Sequence, residues 1–190
     1  MAALETRHPA LLRANQTALL VVDVQEAFRP AIDRFDEMVH NCRILVEGFR
    51  TLGAPIIVSE QYPQGLGHTV SELTGVLPEA TPVVEKLRFS VVGVPELDAA
   101  ITGSGLRRWV VCGIEAHVCV NQSVHDMLAA GHEVVLAADA ISSRTPLNRQ
   151  IGIDKCVAAG AVVSSTETVL FEMLEQAGSD QFKAISRLVR

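Results

Sequence analysis

Residues 105–124 read GLRRWVVCGIEAHVCVNQSV. A glycine leads, through Leu106 and two arginines, into the apolar run Trp109, Val110, Val111 and Cys112. After a short turn, Val120, Val124, Met127 and Leu128 recur at the three-and-four spacing of one helix face. The stretch therefore reads as helix end, buried strand, turn, helix. The same glycine-to-strand opening recurs in GAPIIVSE from residue 53, GHEVVLAADA from 131 and GAVVSS from 160. Glycine tolerates the left-handed conformation that closes a helix, so each marks a helix-to-strand junction. Between the first strand, ALLVVDV, and the first junction, Val39, Cys42, Leu45, Val46, Phe49 and Leu52 form another helix face. Strands such as VVCGI and IIVS are apolar on both faces, as in a parallel sheet covered by helices. The expected fold is α/β, a doubly wound, mostly parallel sheet with helices on both faces, in a Rossmann-like three-layer sandwich.

The chain has 190 residues, of which 48% are hydrophobic and 20% charged. That suits one soluble domain spanning 1–190. The net charge is −6, and the 16 basic residues are scattered apart from Arg107 and Arg108, so a nucleic-acid partner is not expected. The apolar runs near 18–24 and 109–114 fall well short of the roughly 20 residues of a membrane span. The opening MAALETRHPALLRANQ carries both signs of charge and no continuous apolar core, so a cytoplasmic protein is expected. Cysteines at 42, 112, 119 and 156 make neither a disulfide framework nor a C-x-x-C zinc pair. The glycine- and proline-rich segment from Gln61 to Val76 shows no periodicity and reads as a long ordered loop of functional importance.

Ligands of open parallel sheets bind beyond the carboxyl ends of the strands, so residues that end strands are the candidates. Asp23 follows the apolar run Ala18 to Val22, where a carboxylate needs a cationic or hydrogen-bonding partner, unless it merely caps a turn. DVQEAFRP contains no glycine, which disfavours a dinucleotide or phosphate loop at this point. Lys86 follows Val83 and Val84; it is either a solvated surface lysine or the cation that Asp23 requires. Cys119 sits where the second helix begins, and unpaired N–H groups there are expected to lower its pKa and favour the nucleophilic thiolate. The other three cysteines read as buried hydrophobes. Asp, Lys and Cys together suit acyl transfer to sulfur followed by hydrolysis. His117 lies two residues before the cysteine and is poorly placed to act as its base.

In that order, DVQEAF, EKLRFS and GIEAHVCV resemble the isochorismatase-like cysteine hydrolases along nearly the whole chain. The resemblance implies Asp23 as general base, Lys86 as its cationic partner and Cys119 as nucleophile. It also implies a non-proline cis peptide at Ile114–Glu115, which sequence alone would not reveal, and an oxyanion hole from the N–H groups of Glu115 and Cys119. Gln25 and Phe28 match a D-x-Q-x-x-F pattern whose aromatic lines the substrate pocket, although Phe28 could equally be a core aromatic. Tyr62 and His117 complete the expected substrate contacts.

Such proteins hydrolyse small amides, ureas or vinyl ethers. The nicotinamidase branch binds zinc through Asp-x-His and a later His, whereas this chain has Ser59-Glu60-Gln61-Tyr62 and only His68. Neither metal nor any other cofactor is therefore expected. Isochorismatases proper do not use the cysteine present here, and the EQYPQGLG loop is most similar to the small single-domain branch. The expectation is a cofactor-free hydrolase cleaving a C–N bond of a small amide or urea-like metabolite through a thioester. The alternatives are an isochorismatase-type vinyl ether hydrolase that does without the cysteine, and a catalytically idle scaffold. The resemblance also implies a homo-oligomer (dimer, tetramer or larger), with Leu170, Phe171, Leu174, Phe182 and Leu188 offering apolar surface for it.

Overall fold

Each of the four junction glycines has a left-handed φ: 69° at Gly53, 67° at Gly105, 84° at Gly131 and 114° at Gly160. Strands begin within three residues of each: β2 (Ile56–Gln61), β4 (Arg108–Gly113), β5 (Glu133–Ile141) and β6 (Val162–Ser164). With β1 (Thr17–Val22) and β3 (Val83–Lys86) they form one sheet in the order β3-β2-β1-β4-β5-β6, every pairing parallel. The sheet is thus wholly parallel. The computed structural model describes residues 7–190, so the first six residues of the stretch read for targeting lie outside it.

Two helical layers cover the sheet. α1 (Phe35–Leu52), α3 (Ser71–Thr74), α7 (Thr166–Leu174) and α8 (Asp180–Leu188) pack on one face; α4 (Pro95–Gly103), α5 (Asn121–Ala129) and α6 (Pro146–Ala158) pack on the other. Side chains of β1 alternate between the two cores, Leu19 and Val21 into the first, Ala18, Leu20 and Val22 into the second. Trp109, near the start of β4, is fully buried, with its ring edge-on to His132 at 6.2 Å. No helix among the described residues is long and apolar enough to cross a membrane.

Two expectations need correction. Residues 61–76 are not one loop: Gln61 still belongs to β2, and two single-turn helices follow, α2 (Pro63–Leu66) and α3, too short to show a period. The C-terminal apolar residues mostly close the α1 layer instead of forming a free surface. Leu170 is fully buried, and a β-carbon at Gly48 of α1 would meet its Cδ2 at 2.3 Å. Leu174 and Leu188 pack on the same core, and Phe171 and Phe182 meet edge to face.

Strand order reverses between β1 and β4, and the crevice beyond their carboxyl ends is where this topology places ligands. Asp23 leaves β1 there, and residues 114–120 leave β4 there.

Candidate active site

Asp23 has φ 53°, a left-handed conformation that Asp accepts more readily than most residues. The backbone turns out of β1, the Asp23 amide donates to the Ser59 carbonyl at 3.1 Å, and the carboxylate is only 1% exposed. Its Oδ1 accepts from Ser59 Oγ at 2.7 Å and its Oδ2 from Lys86 Nζ at 2.7 Å. Asp23 is therefore no turn cap, and Lys86, its side chain fully buried, is no surface lysine. Lys86 Nζ also lies 2.8 Å from Gln61 Oε1, 3.2 Å from the Arg88 carbonyl and 3.0 Å from the Phe89 carbonyl. An unpaired charge buried here would be costly; the ammonium is instead surrounded by acceptors.

Cys119 stands in a π-helical turn, Ala116–Val120, and α5 begins only after it. Burial pushes its thiol up to about 12; the Asp23 charge adds to the rise and the Lys86 charge opposes it. The expected lowering of this pKa is thus reversed, because loss of water and a neighbouring carboxylate outweigh a helix end. Both charges act on the sulfur, so the three residues converge. Cys119 is 7% exposed, whereas Cys42, Cys112 and Cys156 are fully buried.

The turn holding Cys119 is pressed between close neighbours. A β-carbon at Gly113 would fall 2.1 Å from the Val22 carbonyl oxygen, so only glycine lets β4 leave so close to β1. The Ile114–Glu115 peptide is cis, as the resemblance implied. The Ile114 amide donates to the Val22 carbonyl and the Ala116 amide to the Ser142 carbonyl, each at 2.9 Å, while no carbonyl among the described residues accepts from the Glu115 amide. The buried Glu115 carboxylate takes two 3.0 Å hydrogen bonds from the Arg144 guanidinium. On the far side, Gly152 of α6 would bring a β-carbon to 2.5 Å from the Ala116 carbonyl.

The expected substrate contacts divide. Gln25 is fully buried, and its carboxamide is committed to backbone: Oε1 accepts from the Gln61 amide at 2.7 Å, and Nε2 donates to the carbonyls of Gln61 at 3.0 Å and Gly67 at 2.6 Å. It fastens the end of β2 and the α2 segment instead of facing a ligand. Phe28 packs against the α1-side core, the alternative kept open for it. Tyr62 is 49% exposed at the rim, and His117 Nδ1 lies 3.1 Å from Ser143 Oγ.

Sequence reasoning passed over Ser59 and Gln61. Their spacing of two puts both on one face of β2, Ser59 against Asp23 and Gln61 between Lys86 and Cys119, with Oε1 4.0 Å from Sγ. Three consecutive polar residues, Ser59, Glu60 and Gln61, closing an apolar strand were the only signal, and it does not say which of them faces the site. Glu60 points the other way, accepting from the Thr69 amide at 2.7 Å and Thr69 Oγ1 at 2.8 Å, with His68 Nδ1 at 2.9 Å. Among the described residues no group of three or more His, Cys, Asp or Glu side chains has the arrangement of a metal site. A cleft of about 1180 Å³ along α7 lies apart from Asp23, Lys86 and Cys119, none of which lines it.

The sequence profile of the Isochorismatase domain matches residues 17–168. Isochorismatase domain-containing protein 1 of Salmo salar is 39% identical over 175 residues, covering 92% of this chain and 61% of that protein, so the chain spans about three fifths of that relative. The secreted isochorismatase effector Isc1 of Phytophthora sojae is 36% identical over 196 residues, covering 100% of this chain and 93% of that protein. Among solved structures, the MAR1 ribonuclease of Caenorhabditis elegans superposes with a TM-score of 0.89 at 36% identity, covering 95% of this chain and 92% of that one.

Proposed function

The chain belongs to the isochorismatase domain family, and from that premise we propose that it is a cofactor-free cysteine hydrolase of small amides or urea-like compounds. The observation that carries this reading is the buried Asp23–Lys86 pair, 2.7 Å apart, acting on the thiol of Cys119. A thiol held near 12 rests protonated at neutral pH, so the nucleophile forms only as a substrate is attacked. Asp23 takes the proton while Sγ bonds the carbonyl carbon, and Lys86 keeps the protonated and ionised forms of the acid in place. The N–H groups of Glu115 and Cys119 hold the oxyanion. Asp23 then returns the proton to the departing nitrogen, the C–N bond breaks, and a thioester remains. Water attacks the thioester with Asp23 again accepting a proton, the acid leaves, and the thiol is restored.

Two measurements test this. Cys119→Ala should lower turnover of an active amide by at least about 10³-fold. Rapid quenching of the wild type should give an acyl mass increment on the Cys119 peptide. Full activity in Cys119→Ala would overturn the reading.

The resting thiol favours one alternative: vinyl ether hydrolysis of the isochorismatase type, with the protonated sulfur a bystander. Turnover of isochorismate that survives Cys119→Ala would support it. The word ribonuclease describes the nematode protein. Here Arg144 is paired with Glu115 and Arg29 with Glu26, Asp36 and Glu72, and the chain carries a net charge of −6, which together disfavour a phosphate backbone as the ligand.

A further inference from the structure

Gln61 is held from every side. Its amide and carbonyl are clasped by the Gln25 carboxamide, and its Nε2 donates to the Leu87 carbonyl at 2.9 Å. Those contacts fix the orientation of its side-chain oxygen, which points at the catalytic group. One lone pair of Oε1 accepts from Lys86 Nζ at 2.8 Å; the other has only the Cys119 sulfur, 4.0 Å away, at the outer limit for an S–H donor. When the thiol proton moves to Asp23 and the sulfur becomes acylated, even that donor disappears. The second lone pair of a buried acceptor would then be left without a donor beside the bond being broken.

We infer that Gln61 Oε1 is the receptor for an N–H on the substrate's leaving group, so that this site selects primary amides and ureas over esters and vinyl ethers. A leaving nitrogen donates where the thiol proton had been. A leaving oxygen instead presents a lone pair to a lone pair, and that side of the acceptor stays without a donor. The inference rests on the reading in which Cys119 is the nucleophile. It assigns Gln61 the discrimination between classes of leaving group, a task separate from nucleophile, base and oxyanion hole.

The test needs no knowledge of the natural substrate. Iodoacetamide and methyl iodoacetate react with a thiolate by the same displacement: the S–C bond forms, the C–I bond breaks, iodide leaves and the thiol proton goes to Asp23. The reagents differ in carrying NH₂ or OCH₃. The second-order rate constants at Cys119, followed by peptide mass, are compared as a ratio with the same ratio for free cysteine. In the wild type the amide-to-ester ratio should exceed that of free cysteine by about tenfold or more. In Gln61→Met it should fall to the free-cysteine value, even if both absolute rates drop because Lys86 has lost an acceptor.

A wild-type ratio equal to that of free cysteine, or an excess that persists in Gln61→Met, would overturn the role of Gln61 and leave the nucleophile assignment standing. Should Gln61→Met fail to fold, the wild-type ratio alone decides. Absence of labelling at Cys119 by both reagents would remove the nucleophile reading and this inference with it.

Discussion

Lys86 has three N–H bonds and four acceptors within 3.2 Å, in a place water does not reach. Removing the charge of its partner should therefore harm the fold as well as the chemistry. Asp23→Asn is expected to lower stability by about 3 kcal/mol in denaturant unfolding, with part of the loss recovered in Asp23→Asn/Lys86→Met. For Cys119 the raised thiol gives a kinetic signature. Its alkylation by iodoacetamide should be the fastest of the four cysteines and keep accelerating from pH 7 to beyond pH 10, with no plateau near the ordinary thiol value. Asp23 stood out in the sequence because a carboxylate at the end of an apolar run is uncommon, Lys86 only as the cation that Asp23 required, and Cys119 by its place where a helix was expected to begin. Ser59 and Gln61 did not stand out, since serine and glutamine are unremarkable at a strand end. The direction of the Cys119 shift was illegible for another reason: it depends on burial that only the assembled crevice creates.

At the level of elements, the helix-to-strand junctions could be read because each carries its own glycine. The contact of α6 with the nucleophile turn could not, because Gly152 lies in mid-helix with nothing local to explain it. Gly152→Ala should drive α6 from the Ala116 carbonyl, with a stability loss of about 1–3 kcal/mol and a larger proportional loss of activity than an alanine elsewhere on that helix. A thermal melt and a rate assay on the same sample check both. The α2–α3 segment is held by Glu60, whose carboxyl is lowered by the bonds from Thr69 and His68 against the opposing effect of burial. His68 is raised by Glu60. The lowered Glu60 contributes above its unfolded value near 4.5, and the raised His68 contributes below its unfolded value near 6.5. The clasp is therefore fullest between about pH 4.5 and 6.5. Hydrogen exchange at the Thr69 amide, corrected for its intrinsic rate, should quicken as pH rises through and above 7, and His68→Ala should abolish that dependence.

Across the whole molecule, layers and strand direction followed from apolar periodicity, whereas the sheet order, with β1 between β2 and β4, depends on pairings far apart in sequence. Buried thiols give this architecture an alkaline weakness. Burial raises Cys42, Cys119 and Cys156, the last two to about 12 and about 11. Above pH 9 the unfolded chain releases protons that the native chain retains, so stability falls with rising pH, by about 1.4 kcal/mol per pH unit for each such thiol. Denaturant midpoints between pH 8 and 10.5 should show the decline, and Cys156→Ala should make it shallower. Trp109, the single tryptophan, lies fully enclosed at the strand-start side of the sheet, against His132 and away from the rim. Intrinsic emission will therefore track cooperative loss of the interior and stay silent when a small molecule reaches the sulfur, so ligand titrations call for an optical reporter introduced near Tyr62.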